Sequence, residues 1–193
     1  MFLLADNGRM QPQTARTGYG RIVNTIQRLR DTYRDALYKD VVPFWQRYSP
    51  DRHYGGFFTC LDRDGSIYAT DKYLWLQGRA VWMFARLYRE QRNPQWLQMA
   101  MQGAQFLRKH GRTRDGRVYF AVTRDGRPIH IQRKIYSEVF YVLAMIAMYQ
   151  TTDAASYRDE AMAMFERIYE LWRHPTRLGR PRLDRTLLAA LSG

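Results

Sequence analysis

Cysteine, lysine and long apolar runs are all scarce in this chain of 193 residues. Cys60 stands alone, so no disulfide can form within the chain, and a reducing cytosol is its natural setting. Its place in an alternating apolar run reads as that of a small buried thiol and not of a nucleophile. No stretch approaches the roughly 20 consecutive apolar residues that a membrane-spanning helix needs, and no membrane association is expected. The opening Met1-Phe2-Leu3-Leu4 is too short for a signal-peptide core, because Asp6 interrupts it. Lys39, Lys72, Lys109 and Lys134 are the only lysines among 31 basic residues, so the net charge of +13 is carried almost wholly by arginine. Those arginines are scattered through every segment. No helix-turn-helix, zinc-finger or RNA-recognition signature accompanies them, which leaves nucleic acid an unfavoured partner. No metal site is expected.

What the chain does have is an internal repeat. Arg63-Asp64-Gly65 recurs as Arg124-Asp125-Gly126, which sets Asp64 over Asp125. Laid over itself in that register, without a gap, the chain matches Lys72 with Arg133, Trp75 with Tyr136, Val81 with Val142, Tyr88 with Tyr149, Trp96 with Tyr157 and Ala100 with Ala161. The order of elements repeats as well. An alternating stretch, Phe58 to Asp62, leads into Asp64-Gly65, a hairpin signal because glycine accepts positive φ. Ile67-Tyr68 forms the returning strand. An inner helix follows, about residues 71–89, apolar on nearly all sides and therefore predicted to be buried all round. Asn93-Pro94 then opens an amphipathic outer helix, about 94–109, with proline in its first turn.

The second unit repeats this scheme with an inner helix at about 133–149 and an outer helix at about 155–172. A further amphipathic helix, about 21–42, precedes both, with Ile22, Ile26, Leu29, Tyr33, Leu37 and Val41 on its expected buried side and Pro43 near its end. Alternating outer and inner helices joined through hairpin-bearing loops predict an all-α fold, a partial (α/α)6 toroid of helical hairpins with short β-hairpins in the loops. The expected organisation is one domain over 1–193, with a flexible 1–19 and a truncated or divergent tail at 183–193. A third inner helix would fall near residue 194, so the chain reads as half of a ring.

The run Gly55 to Gly65, followed by Asp71-Lys-Tyr-Leu-Trp-Leu-Gln-Gly-Arg79-Ala-Val-Trp-Met-Phe84, closely resembles the N-acylglucosamine 2-epimerase family, also called renin-binding proteins. Gln132 to Tyr141 and Leu178-Gly-Arg-Pro181 agree with it. The resemblance covers about residues 20–183 and extends more weakly to cellobiose 2-epimerases and other aldose–ketose isomerases. It implies interconversion of N-acylglucosamine and N-acylmannosamine, with no required cofactor and with a nucleotide, usually ATP, as an activator in many members. It implies a small-molecule sugar in a pocket at one mouth of the barrel. The unfinished ring itself reads as a fragment, or as half of a protein completed by a homodimer partner or a complementing C-terminal half.

Epimerisation at C2 removes a weakly acidic C–H proton and returns it to the opposite face. It therefore needs two acid–base groups and a cation or donor at the enolate oxygen. The resemblance implies two catalytic histidines on inner helices beyond this chain. His53, His110, His130 and His174 match neither position and read as loop residues. The candidate substrate-binding residues are Arg79, Tyr119, Glu138 and Trp75. Arg79 is a charge within an apolar helix, expected either to face the sugar or to pair with Glu138. Tyr119 resembles a sugar-contacting tyrosine at the mouth, with hairpin packing as the alternative. Glu138 occupies the repeat position of Gln77 and is either a pocket group or a structural partner. Trp75 and Trp82 stack on a sugar face or belong to the core. Lys72 opens its helix, a poor place for a cation, and so requires a specific partner. The alternative function is a catalytically empty half-toroid that binds a sugar or a protein.

Overall fold

The computed structural model describes residues 12–179 and 182–183; the expectations for residues 1–11 and for the tail from 184 lie outside these. The chain divides into two compact units, residues 1–45 and 46–193.

The first unit holds helix α1 (Pro12–Ala36), a π-helical segment (Leu37–Val41) and the start of α2 (Val42–Tyr48). The backbone is helical from Pro12. Pro43 lies one residue into α2, directly after the π-helical turn, in a helix that runs on to Tyr48, and so does not end it. The apolar stripe of α1 is a second correction. Ile22, Ile26, Leu29, Tyr33, Leu37 and Val41 are all exposed, so no described residue of their own unit covers this face.

The second unit carries the repeat. Strands β1 (Cys60–Leu61) and β2 (Ile67–Ala69) form the first antiparallel hairpin, closed through Gly65 at φ 87°. Strand β3 (Lys72–Tyr73) leads into inner helix α3 (Leu74–Gln91). Outer helix α4 (Pro94–His110) begins at Asn93, whose side chain caps it by accepting from Gln95 N. Strands β4 (Ala121–Val122) and β5 (Pro128–Ile131) form the second hairpin, then come α5 (Tyr136–Thr152) and α6 (Ala155–Arg173). A 3₁₀ turn (Pro175–Leu178) and strand β6 (Arg182–Leu183) follow. In the register of the repeat β6 falls on β4, so a third copy of the unit has begun there.

The repeat extends to backbone detail. Each inner helix ends in a left-handed non-glycine residue, Arg92 at φ 59° and Asp153 at φ 57°, whose N–H closes the last turn on Tyr88 O and Tyr149 O. Each outer-to-inner loop opens with an isolated bridge, Pro50 to Phe57 and Arg112 to Val118. The core lies between the helices: Leu74, Val81, Phe84, Ala100, Leu107, Tyr141, Met145 and Met148 are buried. α3 and α5 approach so closely that a Cβ on Gly78 would sit 2.5 Å from Phe140 O.

The second hairpin is extended on both sides. β3 pairs with β4, β4 with β5 and β5 with β6, in one four-stranded antiparallel sheet. Lys72 and Tyr73 are drawn into this sheet, which is why α3 starts at Leu74 and not at residue 71.

Candidate active site

Two buried polar side chains on the inner helices hold the loops above them. Gln77, on α3, accepts from Phe57 N at 2.8 Å and donates to Phe57 O at 2.7 Å. Glu138, its repeat counterpart on α5, accepts from Val118 N at 3.1 Å with Oε1. The same oxygen receives Arg117 Nε at 2.5 Å, an ion pair with both partners essentially buried. Arg117 also donates to Gln132 O at 3.0 Å and Leu178 O at 3.3 Å. Glu138 Oε2 is buried and accepts no hydrogen bond from a described residue. Of the two readings of Glu138 the structural partner is the one seen, but it pairs with Arg117 and not with Arg79, and local pattern could not single out Arg117 among so many arginines.

Lys72 finds the partner its position demanded. Its ammonium is wholly buried and bonds Asp51 Oδ2 at 3.0 Å, Gly55 O at 2.6 Å and Arg124 O at 2.9 Å. It also lies 4.4 Å from the Phe106 ring centroid, a cation–π contact. Burial pushes the Lys72 pKa down against the pull of Asp51. Asp51 is buried too, which alone would raise its pKa. Hydrogen bonds from Arg124, Lys72 and the backbone N–H groups of Tyr54 and His53 outweigh this and hold the carboxyl well below the usual range. This three-residue cluster locks the first loop to the second hairpin.

Arg79 departs from expectation. It is exposed, and its guanidinium makes no hydrogen bond or ion pair with a described residue. The inner helix has an open face after all. Trp75, Arg79, Trp82 and Arg86 recur along it at helical spacing, with Trp82 41% exposed and Arg86 paired to Glu90. Aromatic residues on that face disguised it as core. Trp75 is half-buried, edge-on to Tyr136 at 6.0 Å and against Phe140 at 5.7 Å, so it spans the seam between α3 and α5. Tyr119 is half-buried in the second loop, where its N–H donates to Gly111 O. Trp75 and Arg79 therefore share one face, whereas Glu138 is committed to the loop clamp.

The histidines are dispersed. His53 lies in the first loop against Tyr54, His130 in β5 and His174 beyond α6. His110 is the last residue of α4 and not a loop residue. No group of three His, Cys, Asp or Glu residues is placed to hold a metal among the described residues. No described helix is long and apolar enough to cross a membrane. What the α3 face offers chemically is an unpaired planar cation flanked by indole rings, suited to hold a hydroxyl or a developing oxyanion.

The fold is that of the α/α toroids. A cellobiose 2-epimerase from Spirochaeta thermophila DSM 6192 superposes with a TM-score of 0.69 at 22% identity, covering 76% of this chain and 37% of that one. A D-mannose isomerase superposes with a TM-score of 0.62 at 20% identity, over 70% and 35% of the two chains. Sequence narrows the class. The chain is 46% identical over 149 residues to an N-acylglucosamine 2-epimerase of Bos taurus and 44% over 150 residues to that of Homo sapiens, covering 74% and 75% of this chain and 35% of each relative. A cellobiose 2-epimerase of Dictyoglomus turgidum is 26% identical over 146 residues, 74% of this chain and 37% of the relative. The profile of the N-acylglucosamine 2-epimerase (GlcNAc 2-epimerase) family matches residues 56–185, and the chain belongs to that family. It spans about a third of the length of the curated relatives it matches.

Proposed function

We propose that this chain forms part of the wall and mouth of a cytosolic sugar 2-epimerase that interconverts N-acylglucosamine and N-acylmannosamine. The observation that carries the choice of sugar is the gap between 46% identity to an N-acylglucosamine 2-epimerase and 26% to a cellobiose 2-epimerase. In this reading Arg79 steadies the enolate oxygen that develops when the C2 proton leaves, and Trp75 presents its ring edge to the sugar. Tyr119 reaches the sugar from the mouth, while Glu138 shapes the wall without touching it. The two acid–base groups come from inner helices outside this chain, as the family resemblance implies. A nucleotide acts as activator and not as reactant.

The remaining helices seat on the α5–α6 edge. Trp75 and Gly78 are the α3 positions that meet α5; their counterparts in the second copy, Tyr136 and Val139, are exposed. Phe165, Tyr169 and Trp172 on α6 are exposed as well. Large apolar side chains left exposed on both helices mark an interface. Its occupant is a further hairpin of the same type.

The test is turnover of N-acetylmannosamine. The chain alone is expected to be inactive. In the toroid completed by its missing helices, Arg79→Ala should lower kcat by about 10²-fold with a smaller change in KM, the signature of a donor lost at a developing oxyanion. A near-unchanged kcat would remove Arg79 from the chemistry. Sugar binding by the completed protein without turnover would favour the empty binding module, a reading motivated by the dispersal of the four histidines.

A further inference from the structure

We propose that the pocket bounded by Arg52, His53, Lys109 and His110 binds the phosphoryl group of a small phosphorylated ligand. The pocket is a cavity of about 290 Å³ between the first loop and the last two turns of α4. Neither Trp75 nor Arg79 lines it. Two arms of its lining are full cations and two are imidazoles; Gln102 and Gln105 add amides, and no carboxylate lines it.

Three features mark it as a receptor for an anion. First, Arg52 and Lys109 are exposed and make no hydrogen bond or ion pair with a described residue, so their donors are available. Charge-assisted bonds from such groups to phosphoryl oxygens are the strong kind. Second, the nearest buried acid is already consumed. Asp51 is bonded by both Lys72 and Arg124, leaving that cluster with one net positive charge beneath the pocket. Gln102 Nε2 fastens the pocket wall by donating to Asp51 O at 3.1 Å. Third, His110 is fixed in place. Its ring packs on Phe106 at 4.9 Å and is abutted by Gly126, where any side chain would collide with it. Burial, then Lys109 and Lys72, push its pKa down, with Gly126 and Asp125 opposing. A dianion entering the pocket would offset that repulsion and draw a proton onto the ring.

The test is titration of the chain with inorganic phosphate at constant ionic strength in chloride, followed by ³¹P line shift and by calorimetry. A phosphate monoester in parallel distinguishes a free ion from an esterified ligand; tighter binding of the ester shows that more than the phosphoryl group is recognised. The expected result is saturable one-to-one binding, weakened about tenfold or more by Arg52→Ala and by Lys109→Ala, because each removes a charge-assisted contact. Arg63→Ala removes an equal charge from the exposed first hairpin and should leave binding unchanged. All three side chains are exposed, so the variants should fold, as equal melting temperatures would confirm. Absence of saturation, or equal weakening by Arg63→Ala, would overturn the proposal. So would binding of a DNA duplex at these residues with no response to phosphate or its ester, which would make the patch a polyanion track.

Discussion

The two copies of the helical unit solve one problem in two ways. In the first, Gln77 holds the backbone of Phe57 through a neutral amide that both accepts and donates. In the second, Glu138 takes the same place beneath Val118 but can only accept as a carboxylate, and it recruits Arg117. The residue at the repeat position of Arg117 is Gly56. There a Cβ would lie 2.8 Å from Gln77 Oε1, so the first copy has no room for the side chain that the second depends on. Amide with glycine and acid with arginine are thus linked pairs of choices. A repeat preserves the demand for two satisfied backbone groups more faithfully than it preserves the chemistry that meets it.

The comparison can be broken most forcefully at the ion pair. Arg117→Ala or Glu138→Ala strands a buried charge and should cost about 3–5 kcal/mol, seen as a lowered denaturant midpoint. Gln77→Ala, which strands only neutral backbone groups, should cost about 1–3 kcal/mol. Equal losses would show that the two clamps are energetically alike. Glu138→Gln should fall between them, since an amide can reproduce the bonding seen at Gln77 but not the charge facing Arg117.

A second contrast lies at the helix seam. Gly78→Ala pushes a methyl group against Phe140 O and should destabilise by roughly 1–3 kcal/mol. Val139→Ala, at the equivalent position, alters an exposed side chain and should shift stability by no more than about 0.5 kcal/mol in the isolated chain. A large effect at Val139 would mean that its face is covered in solution.

A further contrast concerns acid. The folded state holds the Asp51 pKa down, so its stabilisation is complete above the unfolded carboxyl value near 4 and drains away as pH falls below it. The slope is about 1.4 kcal/mol per pH unit. The second copy has Arg112 at this position and lacks such a group. Asp51→Asn should flatten the acid limb of a melting-temperature profile; an unchanged limb would place the acid sensitivity elsewhere.

Much of the fold was legible because the repeat is marked by two local signals, Asp-Gly hairpins and apolar runs, which survive without tertiary context. The outer helices begin where Pro94 and Ala155 say they should. Inner-helix starts were placed too early, in the first copy because Lys72 and Tyr73 join a strand whose partner belongs to the other hairpin. The need for a Lys72 partner was legible but its identity was not, since Asp51 and Arg124 come from different loops. The site was less legible for a related reason: Trp75 and Trp82 fill an open face with residues that sequence reads as core. Only a neighbouring surface decides which a tryptophan is.

The four-stranded sheet stitches the end of each loop to the start of the next. Consecutive loops are therefore tied together through β3 to β6, although the β1–β2 hairpin pairs only with itself. Lengthening one hairpin to suit a new sugar would tug on its neighbour's register, so changes of specificity in such a scaffold are expected to arrive in adjacent loops together.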